Sequence, residues 1–216
     1  MEPAAALPNA SVLAMSGTAV AFAAAVLLAL AGVWLAAAFN ALASRRVRVQ
    51  NGFAQIDVQL RRRHDLVPNL VAAVKGAMEH ERGTLEAVTQ ARASAVAAQS
   101  RAAGTPGDAR ATAELAQAEA ALQGALGRLM AIVERYPELR AGSNVLQLQE
   151  ELVSTENRIA FARQAYNDAV MGYNVRLSVF PDMFVARAFG FAAAALFQAD
   201  ESARAVPAVR LSPPAP

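Results

Sequence analysis

The sequence predicts an all-α protein: an N-terminal transmembrane helix, then an elongated antiparallel three-helix bundle resembling a coiled coil, and a short apolar C-terminal helix. Three observations support this prediction. Residues 12–39 hold no charged side chain, three later segments repeat apolar residues every seven positions, and the connections between them are short and rich in turn formers. The expected organisation is given by residue range: a short N-terminal segment over 1–11, the span over 12–39, the bundle over 40–201 and a disordered proline-rich tail over 202–216.

The apolar run of residues 12–39 is long enough to cross a membrane. At about 1.5 Å per residue, 21 residues of it, 19–39, cover the roughly 30 Å hydrocarbon layer, and Trp34 suits an interfacial ring. A cleaved signal peptide is the competing interpretation. Ala36–Ala38 would pass as a cleavage site, but the basic region that precedes such signals is missing.

The charges around this run predict its orientation. Arg45, Arg46 and Arg48 follow it directly, whereas residues 1–11 hold no Lys or Arg. By the positive-inside rule we expect a single-pass protein of the bacterial inner membrane, with the N-terminus outside and the C-terminal domain in the cytoplasm.

Three amphipathic segments follow the span. The first is predicted as one helix from about residue 40 to 99, the second runs from an Asp108 N-cap to about Arg135, and the third begins near Ser143 as its N-cap. The first seam is interrupted at Glu81. In order, the seven-residue seams are Phe53, Leu60, Val67, Val74 and Val88 with Ile56 and Leu70; Leu115, Leu122 and Leu129 with Ala118, Ala125 and Ile132; Val145, Leu152, Ile159, Tyr166, Tyr173 and Phe180.

The lengths of these segments predict their arrangement. A first helix over residues 45–100 would exceed about 80 Å, while the second covers only about 40 Å. The third helix would therefore return beside the projecting part of the first, which would bring residues 166–174 toward residues 61–69.

Several motifs have the order and spacing of one family. Residues 59–71 read QLRRRHDLVPNLV, and Pro68 there predicts a kink because it lacks a main-chain donor and crowds the carbonyl of His64. The other motifs are Phe39-Asn40, Glu134-x-Tyr136-Pro137-x-Leu139, the segment 156–167, Tyr173-Asn174 and Phe180-Pro181. Over about residues 39–192 the chain resembles the LemA family. The resemblance implies a membrane-anchored bacterial helical protein that organises membranes or recruits partners, with TPM-domain proteins and membrane metalloproteases as candidate partners.

The polar residues of these motifs form the candidate site. We expect them to meet in one zone between the first and third helices, either as a partner-binding site or as a structural device that fixes helix register. The zone consists of Arg63, His64, Asp65 and Asn69 from the first helix, and Arg163, Tyr166, Asn167 and Asn174 from the third.

The composition argues against other classes of function. Cysteine is absent, and the zincin-like helix around His80 lacks a second histidine because position 84 is Thr84, so we predict no catalytic residue, metal or cofactor. The net charge is +2 with Lys75 as the single lysine, which gives no reason to expect nucleic-acid binding.

We therefore interpret the protein as a scaffold or adaptor, not an enzyme, that binds other membrane proteins or itself beside the lipid bilayer. Two alternatives stay open: a sensor that binds a small molecule or peptide at the polar zone, and a membrane-shaping oligomer. The apolar segment 183–197 is too short to span a membrane comfortably. Packing on the end of the bundle is its default placement, with the membrane interface or a partner as the other choices.

Overall fold

The computed structural model describes residues 10–140 and 142–197, which form six α-helices and one 3-10 turn, with no strand in these ranges. The all-α class, with a long apolar N-terminal helix before a helical bundle, is confirmed. Residues 1–9 and the predicted tail at 202–216 lie outside the described residues.

Helix α1 runs without interruption from Ala10 to Lys75, 66 residues, so the predicted span and the first bundle helix are one element. Its apolar part is exposed from residue 17 to 37, and by length and composition α1 can cross a membrane. Pro68 lies inside this helix without ending it.

The predicted continuous helix over residues 45–100 is wrong, because the chain reverses after Lys75. A 3-10 turn at Glu79–Glu81 leads into α2, Arg82–Gly104, which returns antiparallel to α1. Two cross-helix hydrogen bonds fix this pairing: Arg92 donates to the carbonyl of His64, and Gln99 donates to that of Asp57. The seven-residue register is interrupted at Glu81 in this turn but resumes at Val88, and Met78 inside the turn is buried, so the interruption alone did not predict the reversal.

The remaining elements complete a bundle of four long helices, α1, α2, α3 and α5. Helix α3 is Ala109–Val133, α4 is Pro137–Arg140, α5 is Ser143–Ser178 and α6 is Asp182–Ala188. The Asp108 cap is confirmed, since its carboxylate accepts from the Ala111 amide at 2.8 Å. The Ser143 cap is wrong: Gly142 is the N-cap, and no side chain caps this end.

The predicted seams supply most of the core. Along α1, α2 and α3 every seam residue is buried except Ala118, which is half-buried. On α5 the seam holds from Val145 to Tyr173 with Leu152 half-buried, but Phe180 lies beyond the helix and is exposed. At Gly52 a Cβ atom would approach the Tyr166 Cα to 3.2 Å, so glycine permits the close contact of α1 with α5.

Candidate functional site

A buried ion cluster joins three helices at the middle of the bundle. Arg63 of α1 is 2% exposed and pairs with Glu119 of α3, while its other terminal nitrogen donates to Glu156 of α5 at 2.5 Å. The neighbouring His64 places Nε2 at 2.8 Å from the second oxygen of Glu119. One carboxylate of α3 therefore holds two consecutive residues of α1.

Pro68 is coupled to this cluster through the main chain. Because proline has no N–H, the carbonyl of His64, four residues earlier, lacks its usual helical donor. Arg92 of α2 supplies the replacement, with Nε donating to that carbonyl at 2.6 Å. The proline thus creates an acceptor through which α2 is fixed to α1.

Burial governs the charges in the cluster. Burial lowers the pKa of His64 to about 4, and the positive charges of Arg63 and Arg92 act in the same direction. The imidazole is therefore neutral near pH 7, with Nε2–H donating to Glu119. Burial also lowers the pKa of Arg63, an effect that Glu156 opposes.

The structure does not bring all the predicted site residues together. Asp65 and Asn69 lie on the exposed side of α1, away from the buried side chains of Arg63 and His64. Asp65 is therefore not the buried partner of an arginine; Glu119 has that role. The sequence did carry a signal for Glu119, because an acid one position after Ala118 lies beside the predicted seam of α3.

The two Tyr-Asn pairs of α5 form a second site, which we call the clamp: Tyr166, Asn167, Tyr173 and Asn174. The clamp holds the extended residues 192–197, which follow α6 and have no helix of their own. Each asparagine amide accepts from the N–H and donates to the carbonyl of one residue. Asn174 does so with Ala194 at 3.0 and 2.8 Å, and Asn167 with Phe197 at 2.8 and 3.1 Å.

The tyrosines complete this pattern of side chains bonded to backbone. Tyr166 donates to the carbonyl of Ala195 at 2.8 Å and Tyr173 to that of Ala192 at 3.0 Å. Burial raises the pKa of both hydroxyls, so they serve as neutral donors. The seven-residue repeat of Tyr-Asn thus provides, from one helix face, the hydrogen bonds that a neighbouring strand would give.

Two further contacts close the clamp. Gly107, in the α2–α3 loop at φ +89°, accepts from the Ala195 amide at 2.9 Å, and a Cβ there would meet the Ala194 Cβ at 3.0 Å. Arg163 lies with its guanidinium 4.6 Å from the centre of the Phe197 ring. Because Arg163 also feels the charges of Arg63 and Glu156, it lies between the ion cluster and the clamp.

The ion cluster pairs charged side chains between helices, and the clamp binds the backbone of an extended segment. In the described ranges no three His, Asp or Glu side chains converge as they would around a metal ion. The cluster fixes the relative positions of α1, α3 and α5, and the clamp fixes the C-terminal segment on α5.

Comparison with known proteins supports the family resemblance that the motifs at these two sites suggested. Residues 52–211 match the LemA family, which is well over half of the chain. The chain belongs to the LemA family. Arg63, Glu119, Glu156 and the Tyr-Asn pairs all lie within the matched LemA region.

Curated proteins similar to this chain include magnetosome proteins. The LemA chain is 40% identical over 74 residues to Magnetosome protein MamQ 1 and to MamQ 2 of Paramagnetospirillum magneticum, covering 34% of this chain and 27% of each relative. With MamQ of Magnetospirillum gryphiswaldense the identity is 38% over 85 residues, 39% of this chain and 31% of the relative. The chain thus spans less than a third of these relatives. With the apolar part of α1, the comparisons indicate a membrane-associated helical protein.

Proposed function

We propose that this LemA protein is a membrane-anchored adaptor of the bacterial inner membrane that recruits other membrane proteins through its bundle. The anchor is the exposed apolar part of α1, and Arg45, Arg46 and Arg48 favour a cytoplasmic bundle. Ala38 supports retention of the anchor over cleavage after it, since Ala38 is buried against α6 and cleavage there would remove that contact.

The observation that carries the adaptor proposal is an exposed apolar stripe on α5. At about 100° per residue, its apolar members fall within roughly one quarter of the helix circumference, on the side away from the core. The exposed polar residues Glu150, Asn157, Gln164 and Asp168 lie between them on the same side. The stripe consists of Leu146, Val153, Phe161, Met171 and Val175. Phe161 is 75% exposed and, with Val58 of α1, lines a groove of about 580 Å³ between the two helices. Such a stripe suits a partner helix.

The same geometry disfavours the sensor alternative. A sensor was expected to use a polar zone between Asp65 and Asn167, but Asp65 is exposed and the buried members of that zone are engaged with the ion cluster or with residues 192–197. Self-association through the stripe is an outcome of the experiment below. TPM-domain proteins and membrane metalloproteases are the first partners to look for among the products.

The experiment is site-specific photocrosslinking in native membranes. A photoreactive amino acid at Phe161 should give a defined adduct with a membrane protein, whereas the same amino acid at Gln147, exposed on α5 outside the stripe, should not. A product of twice the chain's mass at Phe161 would replace partner recruitment by self-association. Equal labelling at Phe161 and Gln147 would contradict a docking function for the stripe.

A further inference from the structure

We propose that α6 and its flanking residues form an aromatic foot that rests in the interfacial layer of the lipid bilayer beside α1. The foot consists of Phe180, Phe184 and Phe189. The inference rests on the proposed anchoring of α1. It adds a second lipid contact, made by a segment that lies far from α1 in the sequence.

The packing of α6 sets its level relative to the membrane. Val185 and Ala186 form a buried cluster with Ala38 and Leu42 of α1, where the apolar run ends. Phe39 lies at the same level, with its ring centre 5.1 Å from that of Phe189. If α1 spans the bilayer, these contacts hold α6 at the boundary between hydrocarbon and headgroups.

The outward side of this foot is aromatic and unpaired with the protein core. Phe180 is 73% exposed, Phe184 56% and Phe189 53%, while Val185 and Ala186 fill the inward side. The rings of Phe180 and Phe184 pack edge to face with their centres 6.0 Å apart, so they form one aromatic patch. Exposed aromatic rings of this kind are costly in water and favourable at a membrane surface.

The charges around the foot favour the same occupant. Asp182 is the single acidic residue between positions 169 and 197, and it is buried against Arg176. Arg187 is exposed on α6 itself, and Arg46 and Arg48 are exposed on α1 within nine residues of Phe39. An outward surface with aromatic rings, arginines and no exposed carboxylate is complementary to anionic lipid headgroups.

The single tryptophan of the chain, Trp34, allows a direct test in the full-length protein. The protein is reconstituted into vesicles of phosphatidylglycerol and phosphatidylcholine brominated on its acyl chains, whose bromines quench nearby tryptophan. The wild type reports on the anchor through Trp34. In a Trp34→Phe background, Phe184→Trp reports on the foot.

The matched control is Phe161→Trp in the same background. Phe161 is as exposed as the foot residues, but it lies opposite Val58, about 28 Å along α1 from Phe39. We expect Trp34 and the Phe184→Trp reporter to lose comparable fractions of their fluorescence to brominated lipid, and the Phe161→Trp reporter to lose none. Far-UV circular dichroism checks that each variant folds, and Phe180→Trp replaces Phe184→Trp if the latter does not.

The outcomes separate this inference from the anchor on which it rests. Quenching of Trp34 without quenching of the Phe184→Trp reporter would overturn the foot and leave the anchor intact. An unquenched reporter with blue-shifted emission would mean that a second protein surface, such as another copy of this chain, covers the patch. Quenching of the foot reporter but not of Trp34 would contradict the spanning helix while supporting the foot. Quenching of the Phe161→Trp reporter as well would mean that the bundle lies along the bilayer, which overturns a local foot.

Discussion

The ion cluster and the clamp stabilise the same bundle by opposite means. The cluster is made of charged side chains that bind each other across α1, α3 and α5, and its Arg63–Glu119 pair is buried. The clamp is made of neutral side chains that bind the backbone of a half-exposed extended segment. Loss of one member should therefore destabilise the whole bundle in the first case and release one segment in the second.

The largest expected effect comes from breaking the cluster. Glu119→Gln keeps the size of the side chain but removes its charge, so the buried Arg63 loses one of its carboxylate partners. We expect the free energy of unfolding to fall by about 3 kcal/mol or more. Thermal and urea unfolding of the detergent-solubilised protein, followed by circular dichroism, measures it.

Glu114 provides the control, because it lies on the same helix but forms only surface pairs with Arg101 and Arg110. Glu114→Gln should leave the unfolding midpoint unchanged. If Glu119→Gln were equally silent, the buried cluster would not fix the bundle. A double replacement of Arg63 and Glu119 by Met and Leu should recover much of the loss, since it leaves no unpaired charge at those positions.

The clamp should respond locally. Asn174→Ala removes both hydrogen bonds to Ala194, which we expect to weaken the docking of residues 192–197 by about 1–3 kcal/mol. Hydrogen exchange of the Ala194 and Phe197 amides should accelerate, while the core amides of α3 keep their protection.

Asn157→Ala is the comparison for this variant, since Asn157 is exposed on the same helix. It should change neither set of exchange rates. Should Asn174→Ala lower the protection of α3 as strongly as that of residues 192–197, the clamp and the core would unfold as one unit, and the contrast between the two sites would fail.

The smallest expected effect is a pH dependence in the cluster. The pKa of His64 is about 4 in the folded protein against 6.5 normally, so the unfolded chain binds more protons between these values. Stability from the neutral imidazole is therefore fully present above about pH 6.5 and is lost progressively as the pH falls from 6.5 through 4. From pH 7 to 5.5 the loss from this group should be about 1 kcal/mol.

His64→Gln isolates this contribution, because the exposed His80 remains in both proteins. The variant should lose less stability than the wild type between pH 7 and 5.5, whatever its stability at pH 7. Parallel pH profiles for the two proteins would show that His64 titrates normally in the fold.

Much of the local structure followed from the sequence. The seven-residue spacing located Leu60, Leu122 and Ile159 in the core because an α-helix buries one face. Asp108 signalled a helix start because its carboxylate can bond a free amide of the first turn. Phe180 was wrongly assigned to the seam because the seven-residue count continued past Ser178, where the helix ends.

The reversal at residues 76–82 was missed although Glu81 interrupts the register there, because a heptad register reports burial, not direction. Val74 and Val88 keep the same spacing whether the chain continues or folds back, and Met78 buries itself inside the turn. The added helix α2 brought Arg92 and Gln99 to α1, contacts that a three-helix arrangement could not contain.

The sequence by itself determined the helical class, the apolar span, the buried faces and the chemical character of the polar motifs, because these depend on residues close together in the chain. Only the tertiary structure decided the partners of those motifs. It paired Arg63 with Glu119, 56 positions away, left Asp65 exposed, and placed the Tyr-Asn repeat against residues 192–197. The reason is physical: a buried charge or a free backbone group requires a partner, but which one it meets depends on how the helices pack.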